Sequence, residues 1–320
     1  MAQIGKDIAL AKSFLEQGQL VGIPTETVYG LAGNALDSES VALIFETKNR
    51  PGFDPLILHT FSIDRVKDFV TFFPEKLKVL AEHFWPGPLT LLLPKKPIVP
   101  DLVTSGLDRV AVRVPKHPLT LALLEILDFP LAAPSANPFG YISPTRPSHV
   151  EAQLGEKIPY ILDGGSCEVG LESTIVGMEG DEIVIYRLGG LEVSEIERLV
   201  GPIKIKDHSS SNPQAPGLLE SHYAPRKPFI LGNLKELIAE NLQRNLDFAV
   251  LSFSEFYPEI KPENQIALSS DKNLHEAAKH LFAAMRKLDE GNAGVILAEL
   301  LPEEGLGRAI NDRLKRAAAK

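Results

Sequence analysis

Short apolar runs of strand length alternate along the chain with stretches of helical periodicity. The run at 20–23 predicts a strand that ends at Pro24. A helix is predicted from about Asp37 or Ser38, either of which suits an N-cap, to Lys48. The same periodicity predicts strands at 55–59, 89–93, 109–114, 131–133, 160–162, 173–178 and 182–187, and helices between 63 and 83, at 118–127 and at 193–200. Because several neighbouring strands are joined by short turns, we expect a mixed sheet with helices against it.

The alternation stops in a segment rich in serine, proline and glycine, at 206–228, which is typical of a linker. A smaller α/β pattern follows it. Its predicted strands lie at 228–231, 248–252 and 294–299, and its predicted helices at 234–242, 273–288 and 306–318. The 320 residues therefore predict two domains, at 1–205 and 229–320, joined by the linker.

Composition and charge narrow the class of protein. The chain is 44% hydrophobic and 23% charged, and its apolar runs are far shorter than the roughly 20 residues of a membrane span. A net charge of −9 argues against a protein whose main function is to bind a nucleic-acid backbone. The lone Cys167 excludes an internal disulfide and a multi-cysteine zinc site. With no signal-peptide pattern at the N-terminus, we expect a cytoplasmic protein that acts on small molecules, without membrane or strong nucleic-acid binding.

Four cations stand at the ends of otherwise apolar or proline-bounded segments: Lys48 and Arg50 in KNRP, Arg113 in VRVP and Arg187 in YRLGG. A cation in a segment built for burial needs an anionic partner, which is either a carboxylate of the chain or a ligand. The KNRP segment is the better ligand candidate, because Pro51 stops the helix and holds both side chains at its C-terminal edge. The chain has no GxxxxGK[ST] loop, complete GxGxxG, HExxH or GxSxG motif.

Three polar loops follow or begin predicted strands. They are PTETVYG, with Thr25, Thr27 and Tyr29; APSANPFG, with Ser135 and Asn137; and GLESTIV, with Ser173 and Thr174. Each alone is compatible with ordinary turn and cap residues. Together with the four cations they predict a ligand site at strand ends. For His59, Trp85 and Cys167 the residues themselves favour structural roles.

The ordered set of motifs is similar to a known family. PTETVYGLAGNA, KNRPGFDPLILH, FWPGPLTLLL, VAVRVP, APSANPFGYISPT and LDGGSCEVGLESTIV occur in the order of the YrdC-like threonylcarbamoyl-AMP synthases. PGLLESHYAPRKP and GLGRAINDRLKRAA resemble the longer, two-domain form. The resemblance implies a catalytic domain with a twisted mixed sheet around a positively charged cavity, and a smaller Rossmann-like α/β C-terminal domain.

By matching motif positions, the resemblance assigns residues to two substrates. The threonine side is lined by Thr27, His59, Arg113, Ser135 and Ser173. The ATP side comprises Lys48, Arg50, Asp54, Asn137, Ser143, Arg187 and Tyr223, the last carried there by a linker that folds over the cavity as a lid. Lys48 and Arg50 are the expected catalytic residues. Mg²⁺ is expected with ATP, and no side chain is assigned as a metal ligand.

The chain departs from the family pattern at three positions. Asp54 stands where asparagine is usual, and an added carboxylate near phosphates would be repulsive unless it faces magnesium. Arg109 replaces a common threonine, and Gly177 a frequent aspartate. These departures concern the nucleotide contacts and leave the ordered set of motifs intact.

The implied activity is formation of threonylcarbamoyl-AMP and pyrophosphate from L-threonine, bicarbonate and ATP, for threonylcarbamoyladenosine modification of tRNA. Its expected partner is a tRNA threonylcarbamoyl transferase that receives the product transiently. Three alternatives remain: an RNA-binding module, disfavoured by the charge of −9; carbamoyl transfer in metallocentre maturation, disfavoured by the single cysteine; and a regulatory paralogue without turnover, disfavoured by the intact KNRP and SAN motifs.

Overall fold

The computed structural model describes residues 1–206, 215–216 and 222–319. Within them, no helix has both the length and the apolar composition needed to span a bilayer. The linker predicted at 206–228 falls partly outside the described residues. The chain divides into two compact units. The larger comprises Met1–Phe139, Pro144–Glu168 and the described part of Glu172–Leu219, and the smaller comprises Gly140–Ser143, Val169–Leu171 and the described part of Glu220–Lys320.

A mixed sheet forms the centre of the larger unit. In the order β1-β8-β2-β3-β7-β4-β6-β5-β9-β10-β11, its described strands are β1 (Gln3–Gly5), β8 (Tyr160–Leu162), β2 (Val21–Ile23), β3 (Gly30–Asn34), β7 (Leu131–Ala132), β4 (Ile57–His59), β6 (Arg109–Arg113), β5 (Leu89–Pro94), β9 (Thr174–Glu179), β10 (Glu182–Arg187) and β11 (Lys204–Ile205). Parallel pairs such as β4 with β6 alternate with antiparallel pairs such as β5 with β6. The predicted mixed sheet is confirmed.

Helices lie between these strands along the chain. They are α1 (Ile8–Glu16), α2 (Ser38–Lys48), α3 (Ile63–Val66), α4 (Glu75–Phe84), α5 (Asp101–Thr104), α6 (Pro118–Glu125), α7 (Pro147–Leu154) and α8 (Val193–Val200). The side chain of Asp37 accepts hydrogen bonds from the N–H groups of Glu39 and Ser40, so Asp37 is the N-cap of α2. The sequence did not predict β1, α1, β3, α5, α7 or β11.

Helices cover the sheet on both faces, which explains the uninterrupted apolar runs in its strands. Successive residues of β3 point to opposite faces: Leu31 packs in one buried cluster with Val41 and Ile44 of α2, whereas Ala32 packs in another with Leu15 of α1. A strand buried on both faces lacks the apolar–polar alternation of a half-exposed one.

A parallel four-stranded sheet forms the centre of the smaller unit. In the order β12-β15-β13-β14, its strands are β12 (Phe229–Leu231), β15 (Val295–Ala298), β13 (Phe248–Ser252) and β14 (Gln265–Ala267). Its helices are α9 (Leu234–Gln243), α10 (Leu274–Glu290) and α11 (Gly307–Ala318). The predicted smaller α/β pattern is confirmed, although β14 was not predicted, and the bounds 229–320 stay a prediction.

Two short segments from the middle of the chain belong to this smaller unit. In the first, Arg286 of α10 donates to the carbonyl oxygens of Ile142 and Ser143, and the Tyr141 hydroxyl donates to Asp289 Oδ2 at 2.6 Å. In the second, Gly170 has φ +78°, and a Cβ there would come within 2.5 Å of the backbone of α10. Both segments are therefore held closely by α10.

Candidate active site

The KNRP segment places a lysine amine against a neighbouring loop. Helix α2 ends at Lys48, and Asn49 caps it in the left-handed conformation with φ 52°. Lys48 is buried, and its Nζ donates to the carbonyl oxygens of Ser135 and Asn137. Burial lowers the pKa of the Lys48 amine well below its ordinary value, and the charge of Arg50 lowers it further. The amine thus ties the end of α2 to the loop that carries two predicted site residues.

Arg50 is held by Asp54, the first departure from the family pattern. The Arg50 Nη2 lies 2.9 Å from Asp54 Oδ2, and Nε donates to the Asp54 carbonyl at 2.9 Å. The two side chains are 5% and 0% exposed. The extra carboxylate therefore meets a guanidinium within the chain, so the repulsion expected from it is offset by that pair.

Arg113 is paired with a residue that the sequence analysis missed. Its Nη2 lies 2.6 Å from Glu26 Oε1, and Glu26 Oε2 accepts from the Lys116 N–H at 2.8 Å. Arg113 and Glu26 are each 4% exposed. The signal for Glu26 was present, since it is the acidic residue of the PTETVYG loop, beside Thr27.

His59 lies directly across from Arg113 on the neighbouring strand. Its Nδ1 is 3.1 Å from the Ile57 carbonyl oxygen. Burial lowers the pKa of His59 to about 3, and the nearby Arg113 charge acts in the same direction. His59 is therefore a neutral imidazole throughout the physiological pH range.

Neutral burial of His59 predicts a pH-dependent stability. The unfolded chain takes up a proton near pH 6.5, whereas the folded chain resists it down to about pH 3. The free energy of unfolding should therefore fall as the pH drops below 6.5, by about 2 kcal/mol between pH 7.5 and 5 from this residue. In urea titrations at pH 7.5 and pH 5, the free energy of unfolding of His59→Asn should fall by about 2 kcal/mol less than that of the wild type. An equal fall in the free energy of unfolding of wild type and His59→Asn would contradict this prediction. The control is His83→Asn, since His83 is exposed, and its free energy of unfolding should fall as much as that of the wild type.

Two of the predicted polar loops lie side by side. The Ala136 N–H donates to the Tyr29 carbonyl at 2.8 Å, and Gly30 forms an isolated bridge with Ser135. In the first loop the hydroxyls of Thr25 and Thr27 are 2.7 Å apart and buried. The structure therefore brings the loops of Thr27 and Ser135 together, as the site prediction requires.

Ser173 and Arg187, predicted for different substrates, contact each other. Arg187 donates from Nε and Nη2 to the Ser173 carbonyl at 3.1 and 2.9 Å, and from Nη2 to Ser173 Oγ at 3.2 Å. Ser173 Oγ is also 2.7 Å from the hydroxyl of Thr90. Arg187 further donates to the carbonyl of Pro216 at 3.2 Å.

Gly189 fits tightly beside this serine. A Cβ at Gly189 would lie 2.3 Å from the Glu172 carbonyl oxygen and 2.5 Å from backbone atoms of Ser173 and Thr174. We expect Gly189→Ala to lower the free energy of unfolding by about 1–3 kcal/mol in urea titrations, since rigid backbone must shift. Gly52→Ala is the matched control, because a Cβ there meets nothing within 4 Å. Equal midpoints for the two variants would refute the close approach.

Two predicted ATP residues, Ser143 and Tyr223, belong to the smaller unit. The ring of Tyr223 stacks on Phe282 with centroids 5.5 Å apart, and the Arg313 guanidinium carbon lies 5.1 Å from its centre. Contacts of these two residues with a nucleotide stay predictions, as does the lid formed by the linker.

The remaining residues have structural surroundings. Trp85 is buried and donates to the Leu89 carbonyl at 2.7 Å, and burial raises the pKa of the Cys167 thiol to about 12. Arg109, at the opposite end of β6 from Arg113, donates to the Tyr186 hydroxyl at 3.0 Å. A Cβ at Gly177 would lie 3.0 Å from the Tyr186 ring, so a larger residue there would require that ring to shift by a few tenths of an ångström.

The larger unit is thus an α/β protein in which buried cations, hydroxyls and a neutral imidazole cluster around strand ends. Within the described chain, no three His, Cys, Asp or Glu side chains are grouped so that they could hold a metal ion. Buried cations and hydroxyls held at strand ends suit chemistry by positioning and charge neutralisation.

Comparisons with known proteins agree with this class. The Sua5/YciO/YrdC family model, described as Telomere recombination, matches residues 13–189, and the model described as Threonylcarbamoyl-AMP synthase, C-terminal domain, matches residues 191–319. The chain is 40% identical to the threonylcarbamoyl-AMP synthase of Pyrococcus abyssi, over 97% of its own length and 94% of the relative. It is 40% identical to that of Bacillus subtilis, over 97% and 92%. The crystal structure of P. abyssi Sua5 complexed with L-threonine superposes with a TM-score of 0.92 at 38% identity, covering 99% of this chain and 97% of that one. The chain belongs to the Sua5/YciO/YrdC family, in its two-domain form.

Proposed function

We propose that this chain is an L-threonylcarbamoyladenylate synthase that forms threonylcarbamoyl-AMP and pyrophosphate from L-threonine, bicarbonate and ATP. The observation that carries the proposal is the 40% identity to two relatives of that name over almost the full length of each. The P. abyssi structure, which holds L-threonine, supports threonine as the amino acid. The product serves threonylcarbamoyladenosine modification of tRNA.

The reaction needs two anions held together. The amine of threonine takes up carbon dioxide derived from bicarbonate and becomes a carbamate. A carbamate oxygen then attacks the α-phosphorus of ATP, the new P–O bond forms as the bond to the bridging oxygen breaks, and pyrophosphate leaves. No side chain has to form a covalent bond, so the protein contributes orientation and charge neutralisation.

Arg113 is the residue that we assign to the threonine carboxylate. Its Nη2 is engaged by Glu26 and its Nε donates to the Gly87 carbonyl at 3.3 Å. Its Nη1 donates to no other described residue, which leaves a fixed donor for a carboxylate oxygen. Glu26 then sets the plane of the guanidinium, and neutral His59 adds a polar wall without adding charge.

Lys48 and Arg50 are assigned to the triphosphate. The low pKa of buried Lys48 means that its charged form is costly without an anion nearby. An arriving triphosphate would supply that anion, and Lys48 would then stabilise the charge that develops on the leaving pyrophosphate. Its contacts to the carbonyls of Ser135 and Asn137 keep the amine in place beforehand.

The finer parts of the proposal concern the ion, the recipient and the location. Mg²⁺ would accompany ATP and neutralise phosphate charge. The carboxylates of Glu26 and Asp54 are both engaged by arginines, so we assign the ion to the phosphate oxygens, in keeping with the few protein ligands that Mg²⁺ usually takes beside ATP. The product passes to a tRNA threonylcarbamoyl transferase in a transient encounter, in the cytoplasm.

Pyrophosphate release tests the proposal directly. With ATP and Mg²⁺ present, release should require both threonine and bicarbonate, and omission of either should abolish it. Serine in place of threonine should give less product, because it lacks a methyl group whose contact with the pocket contributes about 1–3 kcal/mol of discrimination. Folded protein that binds ATP yet releases no pyrophosphate on addition of threonine would overturn the proposal.

A further inference from the structure

The smaller unit has the topology in which ligands bind at the ends of parallel strands. The connections from β12 through α9 to β13 and from β14 through α10 to β15 cross the sheet in opposite directions. Right-handed crossovers therefore put α9 and α10 on opposite faces. Helix α11, which follows β15, contacts α10 and β12. The neighbouring strands β12 and β15 thus send the chain to opposite faces, and a crevice opens between them at their carboxyl ends.

A cavity of about 740 Å³ lies at this point. It is lined by residues that directly follow β12, β13 and β15, among them Asn233, Phe253 and Glu299. This volume is within the range of small-molecule sites. The active-site residues assigned above to threonine and ATP do not line it.

Charges of both signs line the cavity. Lys235, in the first turn of α9, and Lys272, just before the N-cap of α10, supply positive charge. Glu255 and Glu299 supply negative charge, and Glu299 Oε1 is fixed by the Phe253 N–H at 2.8 Å. A lining with both signs selects a ligand that has an anionic group together with hydroxyl donors.

Tyr257 adds an aromatic ring and a hydroxyl to the cavity lining. It lines the cavity and is 8% exposed, and its backbone is clamped by Gln265, whose Oε1 accepts from the Tyr257 N–H at 2.9 Å. Its hydroxyl makes no hydrogen bond to any other residue that the structure describes. Burial raises the pKa of this hydroxyl to about 12, with Glu299 and Glu255 adding to the effect. The hydroxyl is therefore available as a hydrogen-bonding group for a ligand in the cavity.

We propose that this cavity binds a nucleoside monophosphate, with its phosphate on Lys235, Lys272 and the first turn of α9, and its ribose hydroxyls on Glu299 and Glu255. Phe253 and Tyr257 provide aromatic surface for the base. The site lies wholly within the smaller unit. Binding of a nucleoside monophosphate here goes beyond the synthase activity, and neither the binding nor the synthase activity depends on the other.

Hydrogen–deuterium exchange of the full chain, with and without AMP, tests this proposal. AMP should slow exchange in peptides that cover 231–237 and 253–257, separately from any protection in the larger unit. The double variant Lys235→Ala/Glu299→Gln should raise the AMP concentration for half-maximal protection at least about tenfold, since each loses a charge-assisted hydrogen bond. The amide oxygen of the introduced glutamine still accepts from the Phe253 N–H, so the loop should stay folded.

Lys261→Ala/Glu263→Gln is the matched control, because both residues are exposed and neither lines the cavity. It should leave protection unchanged, and both double variants should keep wild-type pyrophosphate release and unfolding midpoints. Absence of AMP protection in these peptides would overturn the proposal, as would equal protection in the cavity variant. Protection by inorganic phosphate at the same concentrations as AMP would overturn the assignment to a nucleotide.

Discussion

Replacing Lys48 with methionine should lower the rate of threonine-dependent pyrophosphate release by about 10²–10³-fold. The substitution keeps the length of the side chain but removes the amine that we assign to the triphosphate. It also removes one donor from the carbonyl oxygens of Ser135 and Asn137, at a cost of about 1–3 kcal/mol, although the Ser135 carbonyl keeps the Asn137 N–H at 3.0 Å. Steady-state kinetics below the unfolding transition of the variant provide the measurement.

Lys157 offers a matched control for Lys48. Its Nζ donates to the carbonyl oxygen of Thr47 at 3.1 Å, one residue from Lys48, but its side chain is exposed. Lys157→Met should therefore keep pyrophosphate release within about threefold of wild type, since surface changes have small effects. If Lys48→Met retained a comparable rate, the assignment of Lys48 to the triphosphate would be wrong.

Arg113→Ala should have two separable effects. It leaves Glu26 buried without its partner, so the free energy of unfolding should fall by about 3–5 kcal/mol. It also removes the donor that we assign to the threonine carboxylate, so the KM for threonine should rise at least about tenfold while the KM for ATP changes little. Urea titration and threonine-dependent kinetics measure the two effects.

The double variant Arg113→Met/Glu26→Gln separates the fold from the site. It removes the buried charge of Glu26 together with that of Arg113, and the introduced glutamine still has an oxygen for the Lys116 N–H. Stability should recover in large part, whereas the KM for threonine should stay high. An unchanged threonine KM in Arg113→Ala would eliminate Arg113 as the carboxylate partner.

Local sequence signals account for the elements that could be predicted. Helix α2 has a cap residue at each end, Asp37 and Asn49, and its boundary at Lys48 was predicted correctly. Strand β3, by contrast, reads GLAGN, and two glycines and an asparagine disfavour a strand. It forms because it is paired on both sides, with β2 and β7, and such pairing is a property of the folded chain rather than of the segment.

The site shows the same division between local and distant information. The positions of Lys48, Arg50 and Arg113 at the ends of apolar segments predicted that each would need partners. Asp54 lies four residues from Arg50, but Glu26 is 87 residues from Arg113. A partner at such a distance is chosen by the topology of the sheet, so no pattern within the VRVP motif could have identified it.

The discontinuous make-up of the smaller unit limits how such a protein can be dissected. A chain cut after residue 206 would lose Arg286 and Asp289, the residues that bind the 140–143 segment, as well as the helix against which Gly170 fits. The severed piece would retain two loops shaped for a missing neighbour, with polar groups newly exposed. A shortened protein that lacks the residues after 206, whether engineered or evolved, therefore needs substitutions in these two internal loops as well.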